Sequence, residues 1–220
     1  MNARWKIWSV AVIAMLLSAC ATAPRQQDLS QFHAENPQSI LVVPVINQSV
    51  DVNAPDYFLA TISEPLAERG YYVFPVNMVR SVLSDDGLSD ANLVHQGDPR
   101  RLGQMFGADA VMYITIDQWN AKYVILSTSV TVALDYVLKS AKTGEVLWRN
   151  HQVMVYQPQA SGAGGLAGLV ADAIQAAITK AAPNYIPLAR QANAMAIDGK
   201  VNGLPVGPYD TVSAKGARAP

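Results

Sequence analysis

The chain has 220 residues, enough for one domain with a sizeable core and free ends but cramped for two. Its 16 basic and 17 acidic side chains give a formal net charge of −1, without the basic excess or stripe on which nucleic-acid binding depends. The hydrophobic share of 50% is raised by an apolar N-terminus and an alanine-rich stretch at 160–182, so it does not mark an integral membrane protein.

The first segment, MNARWKIWSVAVIAMLLSAC, places Arg4 and Lys6 ahead of a nearly unbroken apolar run from Ile7 to Leu17, followed by the small residues Ser18 and Ala19. This is the layout of a secretory signal, and residues 1–19 are assigned to it. The run is shorter than the roughly 20 apolar residues that a membrane-spanning helix needs. Cys20 is the only cysteine, and Leu17-Ser18-Ala19-Cys20 resembles the bacterial lipobox, in which a diacylglycerol is joined to the thiol and cleavage leaves that cysteine at the new N-terminus. The bland alternative is cleavage after Ala21 or Ala23, with Cys20 inert. Lipidation of Cys20 is the preferred reading; it leaves a mature chain without a disulfide or a cysteine nucleophile and holds it on a bilayer by two or more acyl chains. Ala21 follows the cysteine in place of the aspartate that commonly retains lipoproteins in the inner membrane, which points to the outer membrane.

Residues 20–38 are polar, with two prolines and little periodicity, and read as a flexible tether from the lipidated cysteine. The α/β domain is expected over 39–199. It opens with a short β-branched run from Ile40 to Ile46, interrupted by Pro44. Phe58, Leu59, Ile62, Leu66 and Ala67 recur at helical spacing after a cap near Pro55 or Asp56; Gly70 ends that helix, and Tyr71–Val76 reads as the next strand. The resulting β-α-β unit predicts two parallel neighbouring strands. A short helix around Met78–Leu83, a turn-rich loop through Asp85, Asp86 and Gly87, and a helix opened by Asp98-Pro99 and closed by Gly107 follow. Residues 109–157 alternate as an antiparallel meander: Val130, Val132, Leu134, Tyr136 and Leu138 share one face, and Gly144 serves the hairpin. A glycine-rich entry leads to a small-residue helix, which Pro183 and Pro187 interrupt or restart, and residues 200–220 form a C-terminal tail. The order β-α-β-α-α-β-β-β-α predicts a single mixed sheet with helices packed on it.

Motifs of chemistry are sparse. His33, His95 and His151 lie far apart in a tether, a loop and a strand, without the spacing of metal ligands, so each reads as a solvated or partly buried side chain and no metal site is assigned. SDDGLSD at 84–90 gathers carboxylates but lacks the run and late glutamate of a calcium loop; Ser89 or Asp90 as a helix cap is the better account. GAGGLAG at 162–168 lacks the Lys-Ser/Thr ending of a phosphate loop, so no cofactor is expected. Its small residues favour close packing, by default on the core; Gly164, Gly165 and Gly168 are the candidates for a contact between copies of the chain. No serine stands in a G-x-S-x-G setting, and no catalytic residue is assigned.

The segments ILVVPVINQSVDVNAP, PLAERGYYVFPV, FGADAVMYITIDQW and SAKTGEVLW together resemble a family of outer-membrane lipoproteins of Neisseria and other Gram-negative bacteria. That family is similar in fold to CsgG, the TolB N-terminal domain, PelC and LpoB. The resemblance covers roughly residues 1–160. It implies an anticodon-binding-domain-like α/β fold, a periplasmic or surface role beside a CsgG-like lipoprotein, and no catalytic residues to carry over. The expectation is therefore a non-enzymatic accessory or assembly component of an envelope export or surface structure, bound to the outer membrane through its lipid and to envelope proteins, with self-association through the glycine-rich helix. An envelope hydrolase and a periplasmic small-ligand receptor are the alternatives.

Overall fold

The structure, a computed structural model, describes residues 27–124, 127–156, 174 and 184–210, with side chains placed outside 120–128. Within them the helices are α1 Ser30–Glu35, α2 Ala54–Glu68, α3 Val76–Asp85, α4 Ala91–Gln96, α5 Pro99–Phe106 and α6 Ile186–Asp198. The strands are β1 Ser39–Val42, β2 Ile46–Asn47, β3 Tyr72–Val73, β4 Ala110–Val124, β5 Ser127–Ser140 and β6 Val146–Tyr156. They form one mixed sheet in the order β3-β1-β4-β5-β6, with β2 also paired to β4. The β-α-β unit is parallel as its pattern requires, because β1 lies between β3 and β4 and runs parallel to both. From β4 onward the sheet is the antiparallel meander.

Each interruption has a local cause. Pro44 has no amide to donate, and it falls in the gap between β1 and β2. Gly70 takes φ +91 at the end of α2, and a Cβ there would stand 2.4 Å from the Asp210 amide nitrogen, so only glycine lets the C-terminal segment lie against this turn. Gly144 turns the β5–β6 hairpin at φ +83.

Alternation along the strands sends side chains to two cores. On one face, Ile40, Met112, Ile114, Val132, Leu134, Tyr136 and Trp148 pack beneath α2 and α6, which contribute Phe58, Ile62, Leu66, Leu188, Ala192 and Ala196. Each large aliphatic or aromatic side chain so buried contributes roughly 1.5–3 kcal/mol. The small residues of α6 allow it to lie close to α2, and between them sits one buried polar cluster. Asn193 accepts from the Tyr136 hydroxyl at 2.8 Å and donates to Thr61 Oγ1 at 2.9 Å and to the Phe58 carbonyl at 3.3 Å. On the other face, α3, α4 and α5 cover Leu41, Val43, Val111, Tyr113 and Ala141, with Val137 packed at the margin. Among the described residues nothing covers the sheet beyond them.

Several boundaries differ from those the sequence suggests. Part of the expected tether is folded: α1 buries Phe32, Glu35 accepts from Ser140 Oγ and from Thr143 Oγ1, and the Gln27 side chain accepts from the Arg149 amide. Phe32, with Leu29 packed beside the same core and these hydrogen bonds, docks it. The strand expected over Tyr71–Val76 narrows to Tyr72–Val73, because Pro75 caps α3. Residues Ala91–Gln96 form a separate helix, capped by the Asp90 carboxylate on the Asn92 amide at 2.8 Å. The first part of the expected tail is held firmly: Leu204 is buried, its carbonyl accepts from Arg69 Nε at 2.7 Å, and the Pro205 carbonyl accepts from the Tyr71 hydroxyl at 2.6 Å.

Candidate functional site

The open part of the sheet carries Thr115, Asp117, Asp135, Arg149, His151, Val153 and Val155, with Val153 and Val155 about half exposed. Thr115, Asp135, Arg149, His151, Gln152 and Asn202 line a cleft of about 590 Å³ at its edge. Strand register builds the centre of this surface. Asp135 on β5 stands opposite Thr115 on β4 and opposite His151 on β6, so their side chains rise from the same face. Asp117 has no partner in the ladder, because Ile116 pairs with Leu134 and Gln118 with Ala133. That one-residue bulge re-aims a side chain which strict alternation would otherwise fix.

The result is a three-strand cluster. His151 Nδ1 lies 2.6 Å from Asp135 Oδ1, and one donor atom from each of Asp117, Asp135 and His151 falls within 4.8 Å of the others. The Asp117 carboxyl is held above the usual range by burial first and then by its hydrogen bond with Asp135 and that group's charge, while His151 opposes the rise. Both members of the Asp135–His151 pair are about half exposed, so their attraction stabilises the fold by no more than about 1 kcal/mol. The arrangement can share a proton between carboxylates or offer two oxygens and an imidazole nitrogen to a cation.

Another ionisable group in an unusual setting is His95, on α4. Its Nε2 donates to the Pro44 carbonyl at 2.9 Å, and its ring meets the edge of Tyr113 with centroids 5.1 Å apart. Lys139 Nζ sits 4.7 Å from the centroid of that same tyrosine. Burial lowers the His95 pKa; the Pro44 carbonyl raises it and the Lys139 charge lowers it. Neutral His95 thus staples α4 to the break between β1 and β2, which is a structural role.

Of the residues singled out from the sequence, Cys20, Gly164, Gly165 and Gly168 lie outside the described residues. His33 is exposed on α1. The three histidines remain apart, yet His151 joins two aspartates that its sequence neighbourhood does not supply. Among the described residues no helix is long and apolar enough to cross a membrane.

Comparison with known proteins bears on this geometry. Residues 27–209 match the model of the family described as "Putative lipoprotein GNA1162-like". The chain is 41% identical over 139 residues to a protein of Neisseria meningitidis serogroup B described as "Putative lipoprotein NMB1124/NMB1162", a match covering 63% of this chain and 64% of that relative. The chain thus spans a little under two thirds of that relative's length. The crystal structure of lipoprotein GNA1162 from Neisseria meningitidis superposes with a TM-score of 0.54 at 36% identity, over 64% of this chain and 96% of that one. It has the same single mixed sheet with packed helices. A PelC dodecamer from Paraburkholderia phytofirmans aligns at 13% identity and a TM-score of 0.40, over 62% of this chain and 82% of that one.

Proposed function

The chain belongs to the family of GNA1162-like lipoproteins, and on that premise we propose that it is a non-enzymatic outer-membrane lipoprotein serving as an accessory or assembly component of an envelope export or surface structure, beside a CsgG-like partner. The observation that carries this reading is the meeting of two independent features: the Leu17-Ser18-Ala19-Cys20 motif after a charged and apolar start, and a family of lipoproteins matched over 27–209. Cys20 is the lipidated residue in this account.

The folded start of the domain adds a spatial constraint. Gln27 is already bonded to β6, seven positions after Cys20, and seven residues reach at most about 25 Å when fully extended. A lipid on Cys20 therefore keeps the domain close to the bilayer, where its contacts are with other envelope components.

The test is affinity capture of the full chain from solubilised outer membranes after cross-linking in intact cells. The proposal expects one envelope protein of an export or assembly system, recovered in stoichiometric amount and lost when the chain lacks Cys20. Recovery of inner-membrane proteins alone, or the same recovery from the form without Cys20, overturns it.

A further inference from the structure

We propose that Asp117, Asp135 and His151 bind a divalent transition-metal ion on the open face of the sheet. The three donors come from β4, β6 and the strand between them; the ladder pairs Asp135 with His151, and its pairs on either side of Asp117 hold that residue beside them before any ion arrives. Their donor atoms already lie within 4.8 Å of one another. A tetrahedral ion at about 2.0–2.2 Å from each donor requires separations of about 3.3 Å. The distance between His151 Nδ1 and Asp135 Oδ1, 2.6 Å, must then widen slightly while Asp117 moves in. Both changes are rotations of incompletely buried side chains, and neither needs the backbone to move.

Two further features favour an ion over a solvated patch. The third donor is an imidazole, which separates this set from a cluster of carboxylates alone and suits zinc better than manganese, magnesium or calcium. Asp117 also sets a second carboxylate beside Asp135; the two share a hydrogen bond while one is protonated and repel when both are ionised. One imidazole pairs with only one of the two; a bound dication answers both. Three protein ligands leave positions open toward the cleft, so the ion can also accept a carboxylate or imidazole from a molecule docked there.

Titration calorimetry of the metal-free full chain in detergent, with Zn²⁺, Mn²⁺ and Mg²⁺ separately, tests the assignment. The expected result is one Zn²⁺ per chain with saturable binding, with Mn²⁺ binding weaker and Mg²⁺ weaker by at least about a hundredfold. Asp117→Asn and His151→Gln should each weaken binding by more than about tenfold. Circular dichroism in the presence of a chelator should match the parent, since both side chains are at the surface, and His33→Gln should bind as the parent does. The assignment is overturned if the parent binds none of the ions saturably, if Mg²⁺ binds as well as Zn²⁺, or if affinity survives both Asp117→Asn and His151→Gln. None of these outcomes depends on the chain's cellular partners.

Discussion

Replacing Asn193 by leucine should be among the most damaging single changes in this fold, and the structure allows its cost to be apportioned. Asn193 is fully buried and supplies the acceptor for the Tyr136 hydroxyl, which is itself 1% exposed. Leucine leaves that hydroxyl without a partner, at a cost of about 1–3 kcal/mol. Thr61 Oγ1 loses one donor but keeps its own contacts to the Tyr57 and Phe58 carbonyls, so it adds little. Fitting the branched side chain between α2 and α6 adds about 1 kcal/mol, for a total of roughly 2–4 kcal/mol. Tyr136→Phe alone, which orphans the Asn193 oxygen, should cost about 1–2 kcal/mol. The pair of changes together should cost clearly less than the two costs added, because the double variant no longer presents a buried hydroxyl to be satisfied. Urea unfolding of the parent, both single variants and the double variant measures the cycle. If the two costs add to within about 0.5 kcal/mol, the hydroxyl and the amide are not coupled and the account of this cluster is wrong.

Stability should fall in mild acid through His95. Its pKa is lowered in the folded chain, so its contribution is complete above the unfolded value of about 6.5 and is lost as pH falls through the folded value; His95→Gln, which can still donate to the Pro44 carbonyl, should flatten that part of a thermal-melting series between about pH 8 and 5. Gly103→Ala would normally favour a helix by about 1 kcal/mol, but here the new Cβ stands 2.4 Å from Ala141 Cβ. It should instead destabilise by about 1–3 kcal/mol in urea unfolding, with Ala141→Gly restoring most of the loss. If copies of the chain meet through the glycine-rich segment, Gly168→Leu should lower the oligomer fraction seen by light scattering while the domain still folds; a parent that is monomeric at every concentration contradicts that contact.

The meander was legible because a half-buried strand writes its register in alternation: the five apolar residues from Val130 to Leu138 that share a face are all buried. Gly70, Gly107 and Gly144 were legible as punctuation for the same local reason, a positive φ that other residues resist. What escaped was set by distant contacts. Phe32 docks the supposed tether through tertiary burial, and no period could announce one phenylalanine. Ala91–Gln96 is too short to show a convincing helical face, although the Asp90 cap was visible. The cluster at the candidate site was half legible. Asp135 and His151 lie equally far from residue 143 in the hairpin turn and so face each other, but the β4–β5 register that sets Asp117 beside them, and the bulge that leaves it unpaired, are not written in the alternation.

The most direct test of the central claim is intact mass spectrometry of the mature chain extracted from membranes, followed by sequencing of its N-terminal peptide. The account predicts a chain that begins at Cys20, with a diacylglycerol on the sulfur and no free thiol. A mature N-terminus beyond residue 20, or an unmodified thiol at Cys20, would contradict it and remove the lipid anchor from the proposed function.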